Sequence, residues 1–189
     1  MADRDRMSVV GGLPLAHRET VQGFPAVENA LAQVLILGSM PGTASLQAQQ
    51  YYAHPRNVFW RILGELVGAG AELPYAARMQ VLTASGIALW DVLQSCARQG
   101  SLDADIEDAS IVVNDFRAFH LSHPHIRYVF FNGAKAEDYY RKHVLPTLGS
   151  QFGALQFQRL PSTSPAHASL SYAQKLKAWE AIKFSGKAV

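Results

Sequence analysis

The sequence predicts an α/β fold, a three-layer α/β/α sandwich around a central four-stranded, mainly parallel sheet. Three observations predict it. Short apolar runs recur at Val34–Leu37, Ile87–Trp90 and Tyr128–Phe131, with a more alternating run at Leu155–Leu160; segments with helical spacing separate them; and each run stops at a glycine, proline or polar residue. Strands covered on both faces need runs that are apolar throughout rather than alternating. Strands that alternate with helices imply right-handed crossovers, a parallel sheet and helices on both of its faces. With all strands pointing one way, the loops at Gly38, Asp91, Asn132 and Pro161 share one rim. That rim is where open α/β sheets bind ligands.

A chain of 189 residues is long enough for one domain with a sizeable core. We expect that domain over residues 23–189, after a loose N-terminal tail over 1–22. Hydrophobic content of 49% and charged content of 17% are those of a globular chain, not of a disordered or fibrous one. No apolar run approaches the roughly 20 residues of a membrane span. The N-terminal MADRDRMSVVGG is charged and lacks the long apolar stretch of a secretory signal. The single cysteine, Cys96, excludes a disulfide within the chain and a cysteine-ligated zinc or iron–sulfur centre. A reducing, cytoplasmic setting is therefore expected, with no membrane contact. A net charge of +2 is compatible with nucleic acid but does not argue for it.

Taken in order, Pro14 to Asn29 reads as an extended lead-in, because Pro25 bars a helix through its middle. After the first strand, Val58, Phe59, Ile62, Leu63, Leu66 and Val67 recur at helical spacing, and Gly68 and Gly70 end that helix. Pro74 opens a second helix over Tyr75–Ser85, with Gly86 just past its end. Gln99 to Ser110 is polar and acidic and reads as a loop. A third helix is expected over about Val113–Ser122, stopping before Pro124, and a fourth over Ala134 to about Leu145. The strand Leu155–Leu160 alternates more than the others, which places it nearer an edge. A last helix begins near Ser171 and carries Tyr172, Leu176, Trp179 and Ile182 on one face.

Four segments carry polar groups that a core does not need. Gly38-Ser39-Met40-Pro41-Gly42 is either an ordinary strand-ending turn or a ligand loop; without a GxxxxGK pattern it gives no support to nucleotide hydrolysis. Tyr52-Ala53-His54-Pro55-Arg56-Asn57 reads as a pocket wall. Within it, Asn57 can cap the following helix or hold a water against an electrophilic carbon. His120, His123 and His125 suggest a metal, but Pro124 prevents a shared helical face, so no metal is expected and a solvated loop is. The serines and histidines lack a GxSxG elbow, which argues against a serine hydrolase. Pro161 to Ala168 holds two prolines and three hydroxyl residues directly after a strand. It is either a structural turn or a stiff loop able to approach a phosphate backbone closely.

These residues together resemble the uracil-DNA glycosylase superfamily, and within it most closely the hypoxanthine-DNA (deoxyinosine) glycosylases. The resemblance runs from about Gly23 to Ile182. Gly38–Gly42 is similar to the first motif, GINPG in the mismatch-specific branches. Tyr52–Trp60 resembles their aromatic–proline–asparagine–FW segment. Phe131-Asn132-Gly133 resembles an FNG turn, and Leu160–Ala168 the second motif, MPSSSARCA in the thymine branch. The departure is Met40, which stands where the mismatch branches have their catalytic asparagine. A thioether cannot orient water, and the hypoxanthine branch shares this loss.

The resemblance implies an N-glycosyl hydrolase of DNA base-excision repair that acts on a flipped deaminated base, hypoxanthine first, and leaves an abasic site. Uracil excision, or a non-catalytic nucleic-acid-binding module on the same fold, are the alternatives. It implies Asn57 as the catalytic residue that positions water. Ser39, Met40, Tyr52, Asp91 and Asn132 would meet the base, with Tyr52 stacking on it. Asp91, which falls at a base-reading position, would accept the N1–H of hypoxanthine or else cap its own turn. Gly42, Ser162, Thr163, Ser164, Pro165, Ala166 and His167 would meet DNA, with Ala166 at the position of the thymine branch's wedging arginine and His167 as its possible helper. No carboxylate falls within these motifs, so general-base help is not expected. No metal, no cofactor and no nucleotide is implied; the partner is DNA carrying a deaminated base, bound by a monomer.

Overall fold

Residues 20–184 are described by the computed structural model. Thr20–Gln22, expected in the loose tail, form the first strand, β1, which pairs antiparallel with Ser95–Ala97. The domain therefore reaches at least to Thr20, and the rest of the expected tail, 1–19, lies outside the described residues. No helix interrupts the stretch around Pro25, as expected, and Val27 exchanges backbone hydrogen bonds of 2.9 and 2.8 Å with Leu89. That bridge covers the outer side of an edge strand.

The next elements are β2 (Val34–Gly38), α1 (Thr43–Ala48), α2 (Phe59–Val67), α3 (Tyr75–Ala84) and β3 (Ile87–Asp91). They are followed by β4 (Leu93–Ala97), β5 (Val112–Val113), α4 (Phe116–Ser122), β6 (Tyr128–Asn132) and α5 (Ala134–Tyr139). The chain closes with β7 (Gln156–Leu160), α6 (Tyr172–Trp179) and α7 (Ala181–Phe184). The main sheet has the order β3-β2-β6-β7 and is parallel throughout, with β7 at an edge. A second, antiparallel sheet of order β1-β4-β5 packs beside it and has no counterpart in the expectations.

Successive residues of the inner strands feed two separate cores. Leu35, Leu37, Val129 and Phe131 face Phe116, Phe119, Tyr139 and Tyr140, together with Val92, Leu93 and Cys96 from the small sheet. Val34, Ile36, Leu89 and Phe130 face Phe59, Trp60, Ile62, Leu63, Leu82 and Trp179. One apolar layer on each face is the α/β/α arrangement that apolar strands demand. Each buried Leu, Ile or Phe side chain contributes about 1.5–3 kcal/mol relative to exposure. Trp179 is fully buried and donates from Nε1 to Pro161 O at 2.9 Å, which anchors the start of the loop after β7 to α6.

Several boundaries differ from the expectations. The third helix starts at Phe116 because Asp115 caps it, its side chain accepting from Ala118 N at 2.9 Å, and Val112–Val113 are sheet instead. The fourth helix ends at Tyr139 and continues as a π-helical turn over Tyr140–Val144. Gln99 to Ser110 is not a plain loop; two 3₁₀ turns at Asp103–Asp105 and Asp108–Ser110 fold it back against the domain. The histidine segment is not solvated as a whole. His120 and His123 are buried, the first against Tyr140 Oη (3.1 Å) and the second against Glu28 Oε2 (2.7 Å). Among the described residues, no helix is long and apolar enough to cross a membrane.

Candidate active site

The strand register brings the ends of all four main strands to one rim, with Gly38 opposite Asp91 and Asn132 opposite Leu160. Loops leaving that rim enclose a cavity of about 290 Å³. That is near the lower end of ligand pockets, which run about 300–1,000 Å³. Its floor requires glycine at 38. A Cβ there would stand 2.3 Å from Asp91 Oδ1 and 2.8 Å from Tyr52 Oη, closer than atoms approach. Tyr52 has a φ of 55°, a left-handed conformation that costs a non-glycine residue about 1–3 kcal/mol. Stacking of its ring on Phe59, with centroids 4.0 Å apart, helps to hold it. Phe59 thus covers one ring face, and Tyr52 also lines the cavity.

Asp91 is 3% exposed, and neither carboxyl oxygen accepts a hydrogen bond from a described residue. The carboxyl therefore does not cap its turn, which is held instead by Asn114 Nδ2 donating to Asp91 O at 2.9 Å. Burial, and then the nearby charge of Asp103, push its pKa from 3.8 to about 8, against the opposing pull of Arg98. At neutral pH Asp91 is mostly a neutral acid, able both to donate and to accept. Tyr52 Oη beside it is also buried without a hydrogen-bond partner, and burial followed by the Asp91 charge raises its pKa far above the usual phenol range.

Asp103 and Arg98, absent from the sequence expectations, complete this wall. Ser39 Oγ donates to Asp103 Oδ2 at 2.6 Å. Arg98, fully buried at its side chain, donates from Nη2 to Pro41 O at 2.5 Å and stands 3.9 Å from Asp103 Oδ1. Ser101 Oγ accepts from Thr43 N at 2.9 Å and fastens the same segment across the cavity mouth. Met40 is buried at the junction of cavity and core and lends the cavity an apolar surface.

Asn57 shows the capping geometry directly, since its Oδ1 accepts from Phe59 N at 3.0 Å. That bond also fixes which end of the amide is oxygen. Nδ2 donates to no described residue, and Asn57 lines the cavity. Asn132 is occupied at both ends of its amide: Nδ2 donates to Thr163 Oγ1 and Oδ1 accepts from Thr163 N, each at 2.9 Å. Thr163 O accepts in turn from Val58 N at 3.2 Å. Thr163, 1% exposed, is thus a strut between the β6 and α2 ends and does not stand with the more exposed residues of its loop.

Ser162 Oγ accepts from Ser164 N and Ser164 Oγ from Ala166 N, both at 3.2 Å, so the hydroxyls shape the loop itself. Gly133 is held at a φ of 98° with Ser162 packed against it. Ser162, Ser164, Pro165 and Ala166 line the cavity with Gly42, whereas His167 faces the other side of its loop. The His167 carbonyl accepts from the buried Lys175 Nζ at 2.6 Å.

A parallel four-stranded sheet with a cavity at its carboxyl rim is the ligand-binding arrangement of open α/β folds, and comparison with known proteins assigns the family. The chain belongs to the uracil DNA glycosylase superfamily, whose family model matches residues 25–183. A hypoxanthine DNA glycosylase of Methanosarcina acetivorans is 36% identical over 162 residues, covering 85% of this chain and 96% of that protein. One from Methanosarcina barkeri is 40% identical over 119 residues, 62% of this chain and 74% of that protein. The solution structure of a candidate uracil DNA glycosylase from M. acetivorans superposes with a TM-score of 0.71 at 34% identity. The superposition covers 87% of this chain and 96% of that one.

Proposed function

We propose that the protein is a monofunctional DNA glycosylase that hydrolyses the N-glycosidic bond of deoxyinosine, releasing hypoxanthine and leaving an abasic site. The observation that carries this reading is Asp91, a buried carboxyl with an unpartnered oxygen on the floor of the rim cavity. As a neutral acid it matches the edge of hypoxanthine, accepting from N1–H and donating to O6. The donated hydrogen bond also stabilises the negative charge that gathers on the purine as its bond to C1′ breaks. The relatives named hypoxanthine DNA glycosylases support the choice of base, as does Met40, which gives uracil no polar contact.

The target base leaves the stack at a cost of a few kcal/mol, least where pairing is already poor, so a deaminated adenine opposite thymine is favoured at this step. An ionised Asp91 would also reject the N1 lone pair of adenine. The neutral acid gives up that rejection in exchange for its donor, and selection against adenine moves toward extrusion. Tyr52 stacks on the base, worth about 1–3 kcal/mol. Gly42, Ser162, Ser164, Pro165 and Ala166 meet the strand, with Ala166 as a small plug. Thr163 and Asn132 hold this loop against the floor, and His167 shapes it from behind. Asn57, its oxygen committed to the helix, donates from Nδ2 to a water and directs the remaining lone pair at C1′. No residue set at the site calls for a metal or a nucleotide.

The test uses duplexes carrying inosine, uracil, xanthine or only ordinary bases, incubated with chelator, treated with alkali and sized. Inosine strands should break fastest, uracil strands much more slowly, and ordinary DNA not at all. Inosine strands that stay intact would end the glycosylase reading, and dependence on a divalent ion would return attention to His120–His125.

A further inference from the structure

We infer that Asp103 is a second catalytic carboxyl of this cavity, facing the sugar and taking the proton of the attacking water. The inference rests on the glycosylase reading and assigns to it a residue outside the family-like motifs.

Three pieces of geometry support it. The first is depth. Asp91 lies level with Gly38, where the base edge is read, and is 3% exposed. Asp103 is bonded to Ser39, one residue farther toward the mouth, and its side chain is 30% exposed. A nucleotide whose base edge meets Asp91 therefore brings its sugar to the level of Asp103. The second is the accounting of acceptors around the water. Asn57 Oδ1 is already used by Phe59 N, so the amide can hold a water oxygen but cannot receive its proton. Asp103 is a carboxylate lining the same cavity that can. The third is the support behind it. Arg98, buried with Nε and Nη1 lacking hydrogen-bond partners, is anchored on Pro41 O and directed at Asp103 Oδ1. A buried arginine held beside a carboxyl favours its charged form, here against the burial that disfavours it.

The groups around Asp103 are Arg98 after β4, Lys135 and Tyr139 on α5, Asp91 on β3, and Tyr52, Cys96 and Ser39. Burial raises the Asp103 pKa, while Ser39, Arg98 and Lys135 oppose the rise. The Asp103 charge is itself the second cause of the high pKa of Asp91. Among the described residues Asp91 has no bonded cationic or hydroxyl partner of its own, whereas Asp103 is bonded to Ser39 and faces Arg98, which fits the first as the acid and the second as the base.

In the step itself, C1′–N9 breaks with its electron pair going to the purine, while a C1′–O bond forms to the water. One water proton passes to Asp103 and the other stays on the new hydroxyl. The purine anion takes a proton from solvent and Asp103 returns its own. Until the new bond forms, the carboxylate offsets the positive charge on the sugar.

The experiment is single-turnover cleavage of inosine duplex by the full chain across pH 5 to 9.5, with binding measured in parallel. The wild type should show a rate that rises as Asp103 ionises and falls as Asp91 loses its proton near pH 8. Asp103→Asn should bind the duplex as tightly as the wild type and cleave it slower by about 10²–10⁴-fold. Its acid limb should vanish, and its alkaline limb should move to lower pH because Asp91 no longer faces a negative neighbour. Ser39→Ala keeps the carboxylate and should move the acid limb to higher pH; it carries the test should Asp103→Asn not fold. Wild-type rates and limbs in both variants would make Asp103 a strut of its loop and overturn the inference. A wild type that cleaves no inosine would instead sink the glycosylase reading, and this inference with it.

Discussion

Asp91→Asn isolates the claim that a neutral acid is built into the floor of the site. In the unfolded chain Asp91 ionises at its ordinary value of 3.8, and in the fold at about 8. Between those values the folded protein keeps a proton that the unfolded chain has released, so stability falls as pH rises. The penalty is absent below about pH 4, grows through neutrality and stops growing once the folded group ionises near pH 8. At pH 7, about three units above the ordinary value, it amounts to up to about 4 kcal/mol at 1.36 kcal/mol per unit. The asparagine amide has the same shape and does not titrate. Urea unfolding should therefore find the variant more stable than the wild type by up to about 4 kcal/mol at pH 7, the gap closing toward pH 4. The amide also presents a donor and an acceptor, so inosine cleavage should survive within about tenfold and no longer fall above pH 8. Asp91→Ala, lacking both groups, should lose it. Wild-type stability that is flat from pH 4 to 8, with no gain in the variant, would refute the neutral-acid assignment.

Two further outcomes follow from the cavity wall. Asn57→Ala should lose about 1 kcal/mol of stability with the Phe59 cap and about 10²–10³ in single-turnover rate. Asn57→Asp should restore the cap but not the rate, and full rates in both variants would leave Asn57 as a cap alone. Asn132→Ala removes both hydrogen bonds to Thr163. It should cost about 1–3 kcal/mol in unfolding measurements and weaken duplex binding by loosening the loop after β7. Unchanged binding would separate that loop from the DNA surface.

Much of the fold was legible because three of the four main strands are near-continuous apolar runs, the edge strand β7 alternates, and each run is followed by glycine, aspartate, asparagine or proline, which local pattern reveals. Their common direction then placed Gly38, Asp91, Asn132 and Pro161 on one rim without any knowledge of contacts. The small sheet was hidden because Leu93–Ala97, a mix of polar and apolar residues, becomes a strand only when Thr20–Gln22 lies beside it. The start of α4 was readable in principle, since Asn114-Asp115 before Phe116 is a capping signal that outweighs the apolar Val112–Val113. Asp103 was not readable from the sequence. It lies 64 residues from Ser39, in a segment with no periodicity. His120 and His123 were misjudged for the same reason, their partners Tyr140 and Glu28 lying 20 and 95 residues away.

The most direct measurement is of the released base itself. An inosine duplex incubated with the protein and chelator, then separated by chromatography before any alkali, should yield free hypoxanthine in step with abasic sites and with the strand still intact. Strand breakage without free hypoxanthine, or no release at all, would contradict the account.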